Sequence, residues 1–331
     1  MKTAVIGAGG WGTALAVHLA NKGYPISFWV RSPAVYKKII LKRVNEDYLP
    51  GVKLPDTIRP TTDLEEALWG KELVIFVIPS HGLRAVAAAA SPFMPPQALV
   101  INAAKGLEDR SRMRLTEVLR EELPEGLQQR IAAISGPNHA EEISRGLPAA
   151  TVAAARVKET AVLAQEALMT ARLRVYTSDD LVGVELGGAL KNVIALGAGI
   201  VDGLELGDNA KAALITRGLA EMIRLGTALG AASRTFSGLS GLGDLYATCN
   251  SPHSRNRQTG YELGRGTPLA TITAATSKVA EGINTTRAAV WLSQKNGVEL
   301  PIAAEIYRIL FEGKPPQKAI DGLMERQKKA E

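Results

Sequence analysis

Near its start the chain carries Ala4-Val-Ile-Gly-Ala-Gly-Gly-Trp-Gly-Thr-Ala-Leu15, and no other stretch limits the possible folds as strongly. A short apolar run, residues 3–6, enters a glycine turn, and residues 13–22 read as a helix. Gly7, Gly9 and Gly12 stand at G-x-G-x-x-G spacing between the two. Gly7 permits the tight turn out of the strand. Gly9 lets the backbone approach a pyrophosphate, and Gly12 lets helix and strand pack closely. The helix start then offers unpaired N–H groups and the positive end of its dipole. A bare glycine motif says little, but one that leaves a strand and opens a helix implies a dinucleotide-binding unit.

The rest of the first half repeats that pattern. Residues 25–30 read as a second strand ending at Arg31-Ser32-Pro33. Residues 33–42 read as a basic helix, 44–61 as a loop or short irregular strands, and 63–69 as a short helix. Residues 73–78 form a continuous apolar run, the mark of a strand covered on both faces. It exits at Pro79-Ser80-His81 into a helix reaching residue 90. Further strands read at 98–102, 130–135, 149–155 and 173–177, with helices at 111–122, 140–145 and 158–170. This alternation predicts a parallel, doubly wound α/β sheet, whose ligands sit beyond the carboxyl ends of its strands. The glycine loop, Arg31, Pro79-Ser80, Lys105-Gly106 and Gly136-Pro137-Asn138 all fall at such ends.

After Ser178 the strand signals nearly vanish. Residues 181–201, 209–229, 240–248, 253–263, 285–294, 301–311 and 315–328 read as helices, so the second half is expected to be all-α. The expected domains are 1–178 for a dinucleotide and 179–331 for a substrate. A length of 331 residues suits two domains, and 46% hydrophobic residues can fill both cores. The single cysteine, Cys249, excludes an internal disulfide and fits a reducing, cytoplasmic setting. The four histidines lack metal-ligand spacing, so no metal is expected. Met1-Lys2 leads straight into the first strand, leaving no room for a signal peptide, and no apolar run reaches the roughly 20 residues of a membrane span. The +6 charge is spread without interleaved stacking aromatics. It reads as ordinary surface rather than a nucleic-acid face, and it suits small anionic ligands.

Five features carry chemistry. Arg31 stands where NAD-preferring folds often carry an acid for the ribose 2′-hydroxyl. It can instead pair with a 2′-phosphate, which favours NADP, or be an exposed strand-end arginine. Lys191 lies among Leu186, Leu190, Ile194 and Gly197 at helical spacing. A lysine desolvated there loses preference for its charged form and can serve as a general base; the alternative is a snorkelling surface lysine. Lys105 follows a buried strand and can bring positive charge to a substrate oxygen, or be a plain loop lysine. Asp244, in Gly241-Leu-Gly-Asp-Leu245, can hold Lys191 or a substrate hydroxyl, or simply cap a helix. Ser254-Arg255-Asn256-Arg257 opens a helix with a hydroxyl, a guanidinium and an amide, a cradle for phosphate or a solvated basic helix start.

Together the motifs resemble one family, the bacterial-type NAD(P)-dependent glycerol-3-phosphate dehydrogenases. The matching stretches include the glycine loop, Ala104-Lys-Gly-Leu-Glu108, Ile134-Ser-Gly-Pro137 and Leu190-Lys-Asn-Val193. They continue with Ala212-Ala-Leu-Ile-Thr-Arg-Gly-Leu-Ala-Glu221, Gly241-Leu-Gly-Asp-Leu245, Ser254-Arg-Asn-Arg257 and Glu281-Gly282. The resemblance implies a Rossmann-like sheet plus a helical domain, with Lys191 as proton acceptor. It implies substrate contacts from Lys105, Gly136, Lys191, Asp244, Ser254, Arg255 and Asn256. It implies that Gly10, Trp11, Arg31, Lys105, Ala140, Arg255, Val279 and Glu281 line NADP or NAD. Where the family usually has Ser or Thr then Phe, this chain has Asn138 and His139; the Asn138 amide can still bond the substrate.

The implied reaction interconverts sn-glycerol 3-phosphate and dihydroxyacetone phosphate and feeds phospholipid synthesis. The expected partner is a small phosphorylated substrate, with neither nucleic acid nor a membrane span, and a homodimer is admitted. Two other readings stay open. One is a related two-domain dehydrogenase of hydroxy acids, which needs a carboxylate grip in place of a phosphate cradle. The other is a nucleotide-sensing regulator that binds NAD(P)H without chemistry.

Overall fold

The computed structural model describes residues 1–275 and 280–328. Ten strands lie in the first half: β1 (Thr3–Ile6), β2 (Ile26–Trp29), β3 (Val44–Asn45), β4 (Leu49–Lys53), β5 (Ile58–Thr61), β6 (Leu73–Phe76), β7 (Leu99–Asn102), β8 (Ile131–Ser135), β9 (Ala149–Ala155) and β10 (Leu173–Ser178). Eight of them form one sheet in the order β10-β9-β8-β7-β6-β1-β2-β5, and β3 and β4 make a separate hairpin. Alternate residues of the central strands feed two cores. Val5, Ile75 and Ile101 join one face; Ala4, Ile6, Val74, Phe76 and Val100 join the other. The period of two in a strand therefore explains why these segments read as unbroken apolar runs.

The sheet is mostly, not wholly, parallel. β9 runs antiparallel to β8, with Ala132 opposite Ala155, and β10 runs parallel to β9. A parallel return needs a crossover of about a dozen residues or more, usually carried by a full helix. The 136–148 connection holds only the one-turn helix Ala140–Ile143, so the chain doubles back. The start of β9 therefore lies beside the carboxyl end of β8, next to Gly136. Within the stretch read as loop or irregular strand, Ile58–Thr61 is a regular edge strand paired to β2. Pro60 is tolerated there because an edge strand needs ladder hydrogen bonds on one side only.

Two helix expectations also change. The helix expected from residue 111 starts at Leu115. Residues before it turn back through a Leu107–Arg114 bridge, with Arg112 at φ 63°. The 240–248 segment opens as a π-type turn, Leu239–Gly243, before the α-helix Asp244–Asn250.

The second half wraps the helix Leu181–Gly203, which is buried on nearly every side. A helix apolar all round belongs inside a protein or a membrane. By length and composition this one could cross a bilayer, which the sequence expectation missed, but its apolar window is fully enclosed by the fold. The helix Arg255–Gly264 packs on it at backbone distance. A Cβ at Gly199 would stand 2.0 Å from the Arg257 carbonyl oxygen, and one at Gly260 2.0 Å from that of Leu196. Only glycines allow this approach, and it sets the start of the Arg255 helix beside Lys191's helix.

Candidate functional site

The glycine loop has the geometry its spacing implies. Gly7 adopts φ 122°, and a Cβ on Gly12 would lie 1.9 Å from the Gly7 carbonyl oxygen. The helix Gly10–Asn21 starts there without a side-chain cap, so its first N–H groups have no intrahelical partner. A Cβ on Gly9 would meet nothing within 4 Å, because the loop faces an open cleft of about 480 Å³. Trp11 reaches across the sheet end, its indole Nε1 donating to the Ala103 carbonyl at 3.0 Å. Gly10 and Ala140 are neighbours at the rim: a Cβ on Gly10 would lie 3.8 Å from the Ala140 Cβ. Arg31 stands exposed at the end of β2, on the same cleft wall. Bare backbone at the helix start, with a guanidinium past the end of the adjacent strand β2, fits a phosphorylated dinucleotide.

The opposite wall is made of side chains. Lys191, six residues short of Gly197 on the buried helix, is 6% exposed. Its Nζ donates to Asp244 Oδ1 at 2.9 Å and to Thr248 Oγ1 at 2.6 Å. Lys105, in the loop after β7, donates to Asp244 Oδ2 at 2.6 Å and to the Gly136 carbonyl at 2.7 Å. Asp244 therefore bridges both lysines, one on each oxygen, where the sequence suggested Lys191, a substrate hydroxyl or a helix cap. Burial would raise the Asp244 carboxyl, but the ammoniums of Lys105 and Lys191 more than reverse this and hold it below the usual carboxylate range. Burial, reinforced by the Lys191 charge and opposed by Asp244, pushes Lys105 down to about 8. Asp244 and Gly136 sit behind the lysines, while Lys105 and Lys191 reach the cleft itself. A buried carboxylate that holds two ammoniums at a cleft floor concentrates proton donors where a substrate oxygen can reach them.

Ser254, Arg255 and Asn256 line the same cleft. Ser254 caps its helix, its Oγ accepting from Arg257 N at 3.2 Å, and Arg255 leans on Gln258 at the rim. Asn256 is tied inward: its Nδ2 donates to Asn192 Oδ1 at 2.8 Å, and its Oδ1 accepts from Gly282 N at 2.9 Å. Asn138 also lines the cleft, but its Nδ2 is engaged by the carbonyls of Ala150 and Pro137, both at 3.0 Å. Its Oδ1 is the atom left to meet a ligand. His139 stands beside His253 with ring centroids 6.1 Å apart, and burial together with the Lys191 charge lowers its affinity for protons. Glu281 accepts from Ser80 N at 3.0 Å and Ser80 Oγ at 2.5 Å, joining the helical half to the loop after β6. Burial raises the Glu281 carboxyl against those two bonds. Val279 lies outside the described residues.

Thr248 was not singled out from the sequence, although a signal existed. It follows Asp244 by four positions, one helical turn, so both side chains share a face. Ser80 had been seen only as a strand end. Nothing in its local sequence points to Glu281, 201 positions away.

A glycine loop on a mostly parallel sheet, closed by a helical half that carries a lysine–aspartate–lysine bridge, defines a two-part oxidoreductase working with a nicotinamide dinucleotide. Residues 2–161 match the family described as NAD-dependent glycerol-3-phosphate dehydrogenase N-terminus, and residues 180–321 match its C-terminus. The chain belongs to the NAD-dependent glycerol-3-phosphate dehydrogenase family. A relative from Moorella thermoacetica named glycerol-3-phosphate dehydrogenase, NAD(P)+, is 50% identical over 98% of this chain and 95% of its own length. One of the same name from Pelotomaculum thermopropionicum is 49% identical over 99% of this chain and 94% of its own. The crystal structure of glycerol-3-phosphate dehydrogenase from Coxiella burnetii superposes with a TM-score of 0.93 at 39% identity, covering 98% of this chain and 99% of that one.

Proposed function

We propose that the protein reduces dihydroxyacetone phosphate to sn-glycerol 3-phosphate with NAD(P)H, and catalyses the reverse reaction. Residues 1–178 hold the dinucleotide and residues 179–331 hold the phosphorylated substrate. When bound, the nicotinamide supplies a hydride to the ketone carbon. The Lys191 ammonium gives its proton to the ketone oxygen as the hydride arrives, so the carbonyl becomes an alcohol. In the oxidative direction neutral Lys191 takes the hydroxyl proton. Thr248 and Asp244 fix the Lys191 Nζ. Lys105 adds a second positive charge against the oxygen, and the Gly136 carbonyl keeps it aimed. Ser254 and Arg255 grip the phosphate with their side chains, and Asn256, its amide tied inward, offers only its backbone N–H at the helix start, with Asn138 at the far side. The unpaired N–H groups from Gly9 to Gly12 take the pyrophosphate. Trp11, Ala140, Arg255 and Glu281 line the rest of the cofactor site, and Arg31 meets a 2′-phosphate. A cytoplasmic setting, a homodimeric assembly and supply of glycerol 3-phosphate to phospholipid synthesis belong to the same proposal.

The observation that carries it is the single carboxylate of Asp244 bridging Lys105 and Lys191 at the cleft. NADPH consumption followed with dihydroxyacetone phosphate, and in parallel with unphosphorylated 2-keto acids, tests it. Rapid oxidation with the phosphate ester alone is the expected result. Preference for a keto acid would point to a hydroxy-acid dehydrogenase, and no consumption with any ketone to a nucleotide sensor.

A further inference from the structure

The hairpin of β3 and β4 lies over the glycine loop: the Tyr48 carbonyl between the two strands stands close to Gly10, and the side chain of Asn45 hydrogen-bonds the loop. Asn45 is 1% exposed. Its Nδ2 donates to the Ala8 carbonyl at 2.9 Å and to Thr13 Oγ1 at 2.8 Å. Thr13 Oγ1 in turn donates to the Gly9 carbonyl at 2.8 Å, and Thr13 N reaches the same oxygen at 2.9 Å. Two consecutive loop carbonyls, those of Ala8 and Gly9, are thus held on the protein side. Each trans peptide is planar, and its N–H points opposite to its C=O. Fixing the Ala8 carbonyl therefore turns the Gly9 N–H away from Asn45. Fixing the Gly9 carbonyl does the same for the Gly10 N–H. These are the groups left free where the loop faces the cleft, beside the open space over Gly9.

We infer that Asn45, acting through Thr13, is a positioning residue that aims the Gly9 and Gly10 N–H groups at the dinucleotide's pyrophosphate. The glycines make the loop permissive; without a tether, flexible peptides would point their carbonyl oxygens at the phosphates part of the time. Asn45 removes that repulsive orientation before the ligand arrives. The hairpin that carries it is itself held to the neighbouring helix Pro33–Lys42 by Lys38–Asp47 and Lys42–Glu46 ion pairs at 2.8 and 2.9 Å. This inference rests on the proposal that the loop binds a pyrophosphate.

Equilibrium binding to the purified full chain separates the two. Wild type is titrated with NADPH, with ADP-ribose, which keeps the pyrophosphate, and with adenosine 2′-monophosphate, which lacks it. Asn45→Ala is expected to raise the Kd of NADPH and ADP-ribose by about tenfold, the cost of an aimed hydrogen bond, and leave that of adenosine 2′-monophosphate within about twofold. Thr13→Val should follow Asn45→Ala, and Thr13→Ser, which keeps the hydroxyl, should retain wild-type affinity. The Thr13 pair carries the test alone if Asn45→Ala fails to fold. Equal weakening of all three ligands would make Asn45 a merely structural residue and overturn the inference, as would unchanged binding of ADP-ribose. Failure of wild type to bind NADPH or ADP-ribose would sink the underlying proposal instead.

Discussion

At the glycine loop, residues 7–12 present consecutive backbone to the cleft, on the end of one strand and the start of one helix. On the other wall, the polar cluster is made of side chains brought from positions 105, 191, 244 and 248. Lys105 and Asp244 stand 139 positions apart in sequence, and Lys191 and Asp244 stand 53 apart. The loop needs absence of side chains and a correct local turn. The lysine–aspartate bridge needs burial, charge balance and a stable interface between the two halves. The two walls should therefore fail differently: a change in the loop should alter affinity for the dinucleotide, and a change in the bridge should alter turnover and stability.

The largest expected effect comes from the bridge. Lys191→Ala should cut kcat by about 10³-fold, the usual scale of a lost general acid, while NADPH binding measured by fluorescence stays unchanged. Loss of both together would dissolve the contrast between the walls. Asp244→Asn leaves two neighbouring ammoniums without a counter-charge. It should lower kcat by about 10²-fold and destabilise the fold by about 3 kcal/mol in urea unfolding, as breaking a buried pair does. A stable variant with normal turnover would show that Asp244 is not the hinge of the site.

Gly9→Ala is the mirror test. The added methyl meets nothing in the protein, so stability should move by less than about 0.5 kcal/mol, yet the Kd for NADPH should rise by about tenfold where the methyl enters the phosphate's space. A drop in melting temperature with intact NADPH affinity would contradict the division. Arg31→Asp should lower the NADPH-to-NADH preference by about tenfold through loss of one charge-assisted contact. An unchanged ratio would free Arg31 from the 2′-phosphate.

The smallest effect is a pH limb. Lys105 is held at about 8, below the ordinary lysine value, so its ammonium predominates at neutral pH and is lost as pH rises through about 8. The kcat/KM for dihydroxyacetone phosphate should fall above that point, at most about tenfold per pH unit. Asp244→Asn removes the group that favours the ammonium and should shift the limb to lower pH; a limb that stays put would assign it to another residue.

Much of this was legible in local sequence. G-x-G-x-x-G spacing fixes a strand–turn–helix because each glycine answers a constraint within a few residues: a positive φ at Gly7, a close approach at Gly12. The long apolar segment around Lys191 likewise reads as a helix with no face polar enough for water, and the fold encloses it. Strand direction was not legible. The reversal at β9 goes with a connection that carries only the one-turn helix Ala140–Ile143, and local propensity does not express the direction in which the chain returns. Nor could sequence show that the Asn256 amide is spent on Asn192 and Gly282, or that Asn138 turns its nitrogen to Ala150.

By itself, then, the sequence determined a glycine turn between a strand and a helix, an α/β half and a helical half. All of these follow from steric and periodic rules that act over one to four residues. Only the tertiary structure decided that Asp244 would serve two lysines, that Thr248 would complete the Lys191 environment, and that Glu281 would meet Ser80. It also decided that Asn45 would hold the glycine loop from a hairpin more than thirty positions away. Hydrogen bonds and ion pairs of this kind depend on where packed elements bring their side chains. That placement is set by close contacts such as the Gly199–Arg257 and Gly260–Leu196 approaches between two helices, which no local stretch contains.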